Sequence, residues 1–263
     1  MNVIGSIESL WRYPVKSMRG EEVETLFAGF AGVYGDRLYA FHSSTASKGF
    51  PYLTARVQRQ MLRYRPRFRR PEKSVAPPNL AEAESMPPGA TPLYGDPADL
   101  MLEVETPAGK TVAIDDPALI DLLRAGIEPV PEVTLMRSER ALTDCRPLSL
   151  FALPTVKKLA EETGMPIDKR CFRANLYLDL TSTEAFAEER LVGRSLRIGS
   201  KVVVSIVERD PRCMVITLNP ETGEKAPAVL KTVAQKHGGI AGLYGAVMAE
   251  GMIQKGDVIE LLD

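Results

Sequence analysis

The sequence predicts a mainly β chain with a few helices (α+β), in two domains built as barrels or sandwiches with a few packed helices. Three observations predict it. Short runs alternate apolar and polar side chains, the period of a half-buried strand. Twenty glycines and twenty prolines punctuate those runs into turns. Few segments carry helical spacing with a start or stop signal.

The elements follow in order. Residues 5–13 alternate and read as the first strand, and residues 37–41 and 61–64 read the same way. Residues 100–105 and 110–114 are two more strands, joined as a hairpin through Pro107-Ala108-Gly109. A helix is expected over 116–124, with Asp116 as N-cap and Pro117 at the first helical position. Residues 133–136 form a strand. A second helix covers 153–162 and stops before Gly164. Strands are expected at 174–178, 195–198, 202–207, 214–218 and 258–262, with a third helix at 226–235. Residues 70–97 are rich in Pro, Ala, Glu and Ser and read as a loop. The boundary falls near the 116–124 helix and the Glu128-Pro-Val-Pro131 stretch, giving domains of 1–120 and 121–263.

Composition narrows the function classes. An apolar fraction of 44% and a charged fraction of 25% are those of a soluble globular protein. A net charge of −1 provides no global pull toward nucleic acid or anionic membrane. No apolar run approaches the roughly 18 residues that span a bilayer. The first residues lack the basic and apolar regions of a secretion signal. Cys145, Cys171 and Cys213 cannot all pair, and none lies in a CxxC, so a reducing cytoplasm is the expected location. Two histidines, His42 and His237, argue against a His-rich zinc site and against a Cys–His nucleophile.

Five constellations carry chemistry. In Arg12-Tyr-Pro-Val-Lys-Ser17 a strand stops at Pro14 and leaves Lys16 and Ser17 in a turn, where ammonium, hydroxyl and backbone N–H groups suit a phosphate. The plain alternative is a solvated lysine. Arg37 and Arg56 sit at strand edges and with Lys16 would make an anion clamp; alone, each reads as a turn residue. Arg63, Arg65, Arg67 and Arg69 would share one strand face, suited to nucleic acid or an acidic partner, or simply solvated. Arg173 and Asn175 flank a strand start, beside a Cys171 that reads as a small core residue. Cys213 follows Arg212 and precedes the turn at Asn219-Pro-Glu-Thr-Gly223. Arg209 and Arg212 favour its thiolate and Asp210 opposes it. Nucleophile, ligand for a soft metal, and inert thiol all remain open on these residues.

Taken in order, Tyr13-Pro-Val-Lys-Ser17, Gly35-Asp-Arg37, Thr54-Ala-Arg56, Phe172-Arg-Ala-Asn175, Arg212-Cys213, Asn219-Pro-Glu-Thr-Gly223 and residues 253–259 resemble the MOSC family, with its usual N-terminal β-barrel partner. The resemblance implies a molybdenum–molybdopterin cofactor with Cys213 as the metal's thiolate ligand. Lys16, Ser17, Arg37 and Arg173 match family positions that contact the cofactor, chiefly its phosphate, and Arg56 and Asn175 match as further contacts. Arg212 supports the thiolate. Asp144 is expected near the metal's open position, as a catalytic residue beside Cys213. Asp144-Cys-Arg-Pro147 departs from the family pattern, since Cys145 and Arg146 replace smaller neighbours of the cofactor, and Arg146 either joins the clamp or narrows the site. The tryptophan that often follows an acidic pair in relatives is absent after Glu188-Glu189.

The implied activity is that of the amidoxime-reducing component and its bacterial counterparts: reduction of small N-hydroxylated compounds, with electrons from a separate flavin or iron–sulfur protein. A membrane or nucleic-acid partner is not expected. The alternative is a non-catalytic cofactor carrier, or a sulfur relay through a persulfide on Cys213. A third reading is a β-barrel that binds single-stranded nucleic acid through Arg63 to Arg69.

Overall fold

The computed structural model describes residues 2–87 and 95–262. In chain order come β1 (Asn2–Arg12), β2 (Glu21–Val23), β3 (Thr25–Gly29), β4 (Gly32–Val33), β5 (Tyr39–Ser47), β6 (Phe50–Tyr52) and β7 (Arg65–Phe68). Next are α1 (Leu80–Ser85), β8 (Leu102–Glu105), β9 (Thr111–Ala113), α2 (Pro117–Arg124), β10 (Val133–Arg137), β11 (Leu148–Ala152) and α3 (Leu153–Thr163). The chain closes with β12 (Leu176–Leu180), β13 (Ser195–Ile198), β14 (Val202–Pro211), α4 (Pro227–Lys236), β15 (Ile240–Ala249), β16 (Gly251–Gln254) and β17 (Val258–Leu261).

The largest sheet runs β12-β11-β15-β14-β13-β17-β1-β2, and β1 also pairs with β12, which closes seven strands into a barrel. The period-two patterns dictate its interior. Leu176, Leu178 and Leu180 of β12 point inward with Leu148 and Leu150 of β11, Leu196 and Ile198 of β13, and Ile7 and Leu10 of β1. The opposite face of the same strands is also buried. Phe151 and Tyr177 pack outward against Val156 and Leu159 of α3 and Val229 and Val233 of α4. β11 and β12 are parallel, joined through α3, so both faces of β11 are covered.

A second core gathers Leu38, Phe41, Met61, Leu100, Leu102, Val104, Leu119 and Leu123 between the sheets β10-β5-β6 and β7-β8-β9. The first strand belongs to the barrel completed by the C-terminal half, although the chain from β5 to β10 builds this second core. The cut at 120/121 falls inside α2. Arg12 joins the two regions. It pairs with Glu21 at 2.8 Å, donates to both the carbonyl and the hydroxyl of Ser74, and lies 4.6 Å from the Phe68 ring centroid.

All three expected helices are present, with Asp116 accepting from the Ala118 N–H and Gly164 left-handed at its helix end. Two expected strands are 3-10 turns instead. Residues 61–64 fall on Arg59–Arg63, because adjacent Met61 and Leu62 are both buried, in different clusters. An alternating strand with one wet face cannot bury neighbours. Residues 214–218 fall on Met214–Thr217, which turns Ile216 under α4. The expected loop at 70–97 holds a 3-10 turn (Pro71–Ser74) and α1; its residues 88–94 lie outside the described part.

Barrel closure rests on a close approach at Gly5. A Cβ there would sit 2.4 Å from the Asp179 carbonyl oxygen and 2.8 Å from Leu180 Cα, both backbone atoms. Gly5→Ala is expected to destabilise the fold by about 3 kcal/mol, lowering the melting temperature by roughly 6–10 °C. Gly49→Ala, where a Cβ meets nothing within 4 Å, is the matched control and should melt with the wild type.

Candidate functional site

A cleft of about 780 Å³ lies where segments of both halves of the chain meet. Lys16, Arg37, Arg56, Arg146, Arg173 and Arg212 line it, against the carboxylates Asp144 and Asp210. This is a strong local excess of cation in a chain of net charge −1.

The backbone is bent to put them there. β1 ends at Arg12, and Val15 forms a bridge with Tyr39. The Lys16 N–H then donates to the Tyr39 carbonyl at 2.8 Å, and the Arg37 N–H to the Tyr13 carbonyl at 2.7 Å. Four described non-glycine residues have positive φ, and three of them line the cleft: Ser17 (67°), Arg37 (43°) and Arg173 (54°). Left-handed backbone costs an ordinary residue on the order of 1 kcal/mol, and such strain clusters at binding and catalytic sites.

Tyr13 is the floor for two of the arginines. The guanidinium carbons of Arg37 and Arg173 lie 4.5 and 4.3 Å from its ring centroid. Buried Asp36 accepts from Arg37 Nη1 at 2.7 Å and from the Tyr13 N–H at 2.7 Å. Burial disfavours the Arg37 charge, but Asp36 more than offsets it and the pKa rises. Arg173 has no such partner. Burial pushes its pKa down to about 10, and its Nη2 is sealed from solvent with no hydrogen bond.

Lys16 donates to the Leu142 carbonyl at 2.8 Å and to the Asp144 carboxylate, and lies 5.0 and 4.8 Å from the ring centroids of Phe50 and Tyr52. Burial lowers its pKa despite Asp144. Burial would raise the Asp144 pKa, but Lys16 outweighs it and holds the carboxyl below its usual range. Arg212 pairs with Asp210 and donates to the Phe172 carbonyl at 3.0 Å, while its Nε is buried without a partner. Burial raises the Asp210 pKa, and burial beside Asp210 raises that of Tyr244.

Cys213 is half-buried in the cleft wall, in extended backbone (φ −113°, ψ 177°) just before the 3-10 turn Met214–Thr217. Among the described residues no three His, Cys, Asp or Glu side chains gather to hold a metal.

Nine of the ten residues singled out from sequence line this cleft: Lys16, Ser17, Arg37, Arg56, Asp144, Arg146, Arg173, Arg212 and Cys213. Asn175 does not. It is buried behind the wall, where its side-chain oxygen accepts from the Ser149 N–H (3.3 Å) and hydroxyl (3.1 Å) and its amide donates to the Trp11 carbonyl at 3.2 Å. It holds β1 and β11 to the start of β12 and accepts from Arg37 at 3.4 Å. Arg146 is held at the cleft edge by Glu208, 2.7 Å from its Nε. Arg209 faces away, toward Glu189 at 3.2 Å.

The arginine ridge departs from expectation as well. Arg63 lies in a 3-10 turn, so only Arg65 and Arg67 share β7. Arg65 and Arg67 reach Glu105 at 3.6 and 3.3 Å, and Arg69 reaches Glu103 at 3.4 Å. Sequence reasoning missed Tyr244 and Thr143 in the cleft wall. For Tyr244 the only signal was a tyrosine among glycines and alanines.

Cys171 also touches the cleft but is a core residue, as expected, with burial pushing its thiol pKa up to about 12. At pH 8 its thiolate fraction is about one in ten thousand. Iodoacetamide at pH 8 is expected to modify Cys213 and exposed Cys145 while sparing Cys171 until the chain is unfolded, as read by peptide mass mapping.

Residues 4–114 match the MOSC N-terminal beta barrel domain, and residues 137–260 match the MOSC domain. The chain belongs to the MOSC family. In this MOSC chain β1 lies within the N-terminal match, yet it closes the barrel whose other strands lie within the second match. No curated protein matches the chain. Similar solved structures include the YUAD protein from Bacillus subtilis (12% identity, 99% of this chain and 97% of that one, TM-score 0.48). YiiM from Geobacillus stearothermophilus shares 20% identity over 45% of this chain and 55% of its own, with a TM-score of 0.36. YiiM from Escherichia coli shares 16% over 45% and 55%, with a TM-score of 0.32. Among the described residues no helix is long and apolar enough to cross a membrane.

Proposed function

We propose that this chain binds the molybdenum–molybdopterin cofactor in the cationic cleft and reduces small N-hydroxylated compounds, with electrons from a separate flavin or iron–sulfur protein. The observation that carries the reading is Arg173: a guanidinium without an acid partner, its Nη2 sealed and unpaired, on left-handed backbone in the same cleft as Cys213. An isolated buried cation is costly unless an anion arrives. A phosphate beside Arg173, Arg37, Lys16 and Ser17 relieves that cost and takes charge-assisted hydrogen bonds.

When bound, the cofactor would supply the redox chemistry that removes oxygen from an N-hydroxyl group. The chain's own part is electrostatic and geometric. Cys213 offers a soft thiolate suited to such a metal. Arg212, locked by Asp210 and the Phe172 carbonyl, fixes the segment that presents it. Asp144 lines the same cleft and is the carboxylate assigned to the substrate there.

The test is the molybdenum content of the protein purified from a host that makes the cofactor. About one atom per chain is expected, with reduction of benzamidoxime when a chemical electron donor is supplied. A metal-free protein carrying a persulfide on Cys213 would transfer the site to sulfur relay.

A further inference from the structure

Lys16 lines the cleft with its ammonium already engaged. Two acceptors already hold its ammonium, the Leu142 carbonyl and the Asp144 carboxylate, and the rings of Phe50 and Tyr52 cover it. Both acceptors come from one segment. Residues 138–147 connect β10 to β11 without helix or strand and cross the cleft mouth. The first part of this strap is fixed by backbone: Ser138 N–H to Leu38 O at 3.0 Å, Ala141 N–H to Ala31 O at 3.2 Å, and Leu142 N–H to Arg37 O at 2.9 Å. From Asp144 to Arg146 the ties shown are side chains, Asp144 on Lys16 and both Cys145 and Arg146 on Glu208.

We propose that Asp144 is an internal stand-in for the ligand's phosphate: it occupies Lys16 in the ligand-free cleft and is exchanged off it when a phosphate binds, releasing the strap at residues 144–146. The inference rests on the anion-clamp reading above. Its physical basis is that Lys16 is buried while the Asp144 side chain is 50% exposed. A buried ammonium left unpaired is costly, so an empty clamp needs a resident anion. A half-exposed carboxylate is re-solvated at little cost when displaced. Lys16 therefore keeps a counter-charge throughout, and no step of the exchange strands a buried cation. Asp144 thereby weakens the clamp toward any anion that cannot also engage Arg37 and Arg173. After the exchange its carboxylate is free to face the substrate side of the cleft.

The test uses the full-length chain made in a host that lacks the cofactor, titrated with inorganic phosphate by calorimetry. Asp144→Asn is expected to bind phosphate about tenfold tighter than wild type, a change of about 1.4 kcal/mol. The gain should vanish in the Lys16→Met background, because the exchange takes place on that ammonium. Glu103→Gln removes a carboxylate paired with Arg69, away from the cleft lining, and should change affinity less than about twofold. Hydrogen–deuterium exchange gives a second readout: phosphate should speed exchange across residues 143–146 of the wild type while slowing it at 16–18. Equal affinity in wild type and Asp144→Asn, or a gain that survives without Lys16, overturns the inference. If molybdenum still depends on Cys213 in that case, the proposed function stands and the stand-in alone is lost. No phosphate binding by any variant overturns the clamp reading along with it.

Discussion

Cys213→Ala is expected to strip the protein of molybdenum, to below about a tenth of the wild-type content, while leaving the fold intact. The two halves of this result come from different observations. Cys213 is half-buried and belongs to none of the four hydrophobic clusters, so removing its sulfur leaves no core cavity. Its extended backbone angles suit alanine equally well. The change in stability should stay within about 0.5 kcal/mol. The metal, by contrast, would lose its only protein sulfur on the cleft wall apart from Cys171, whose thiol pKa is about 12 and which stays protonated. Cys213→Ser adds a discriminating arm. Its hydroxyl is a harder, weaker ligand, so metal should fall nearly as far as in the alanine variant. Phosphate affinity of the cofactor-free chain should not change in either variant, because the clamp residues lie on other segments. Metal analysis beside a thermal melt reads both halves. Equal molybdenum in wild type and Cys213→Ala would remove Cys213 as the ligand.

What was legible in the sequence divides along physical lines. Helices with strong end signals, Asp116-Pro117 and Gly164, lie where their caps place them, because capping is local. Strands with clean alternation, such as β13 and β14, were legible for the same reason. β11 and β15 were not. β11 is buried on both faces, so it has no alternation to read. β15 is written in Ala and Gly, because β11 and β14 press against it. A Cβ at Gly242 would lie 2.7 Å from the Phe151 ring, and one at Gly245 would lie 2.6 Å from Val204. Propensity opposed that strand and tertiary contact imposed it. Missing β15 meant missing Tyr244. The cleft cations were legible as isolated turns, and only their ordered resemblance joined them, since no spacing rule brings residues 16, 37 and 173 together. Asn175 matches the same ordered set yet lies behind the cleft wall, where it reaches the cleft through Arg37 and Ser149.

Arg173→Asn is expected to make the cofactor-free protein more stable and its cleft inert toward phosphate. Burial lowers the Arg173 pKa to about 10 from the ordinary 12.5. A folded-state pKa below the unfolded value means that the unfolded chain binds the proton more tightly. The charge therefore opposes folding, and it does so at its full extent at every pH below 10. The shift corresponds to roughly 3–4 kcal/mol. Against this, the variant loses the contact with the Tyr13 ring, worth about 1 kcal/mol. Asparagine is among the residues that tolerate the left-handed backbone at φ 54°, so the substitution adds no strain. The balance is a gain of about 2 kcal/mol, or roughly 4–8 °C in melting temperature. It should be the same at pH 6 and pH 8, since both lie well below 10. Phosphate affinity should fall at least tenfold, because a buried charge-assisted contact contributes more than about 1.4 kcal/mol. Arg173→Lys separates charge from shape: it keeps the cation and should recover part of the phosphate affinity without the gain in melting temperature. A variant that melts lower than wild type while still binding phosphate would show that Arg173 serves packing on Tyr13 instead. An opposed change in stability and affinity from one substitution is what a site built for an absent anion produces, since the unpaired charge that weakens the empty fold is the one that the ligand satisfies.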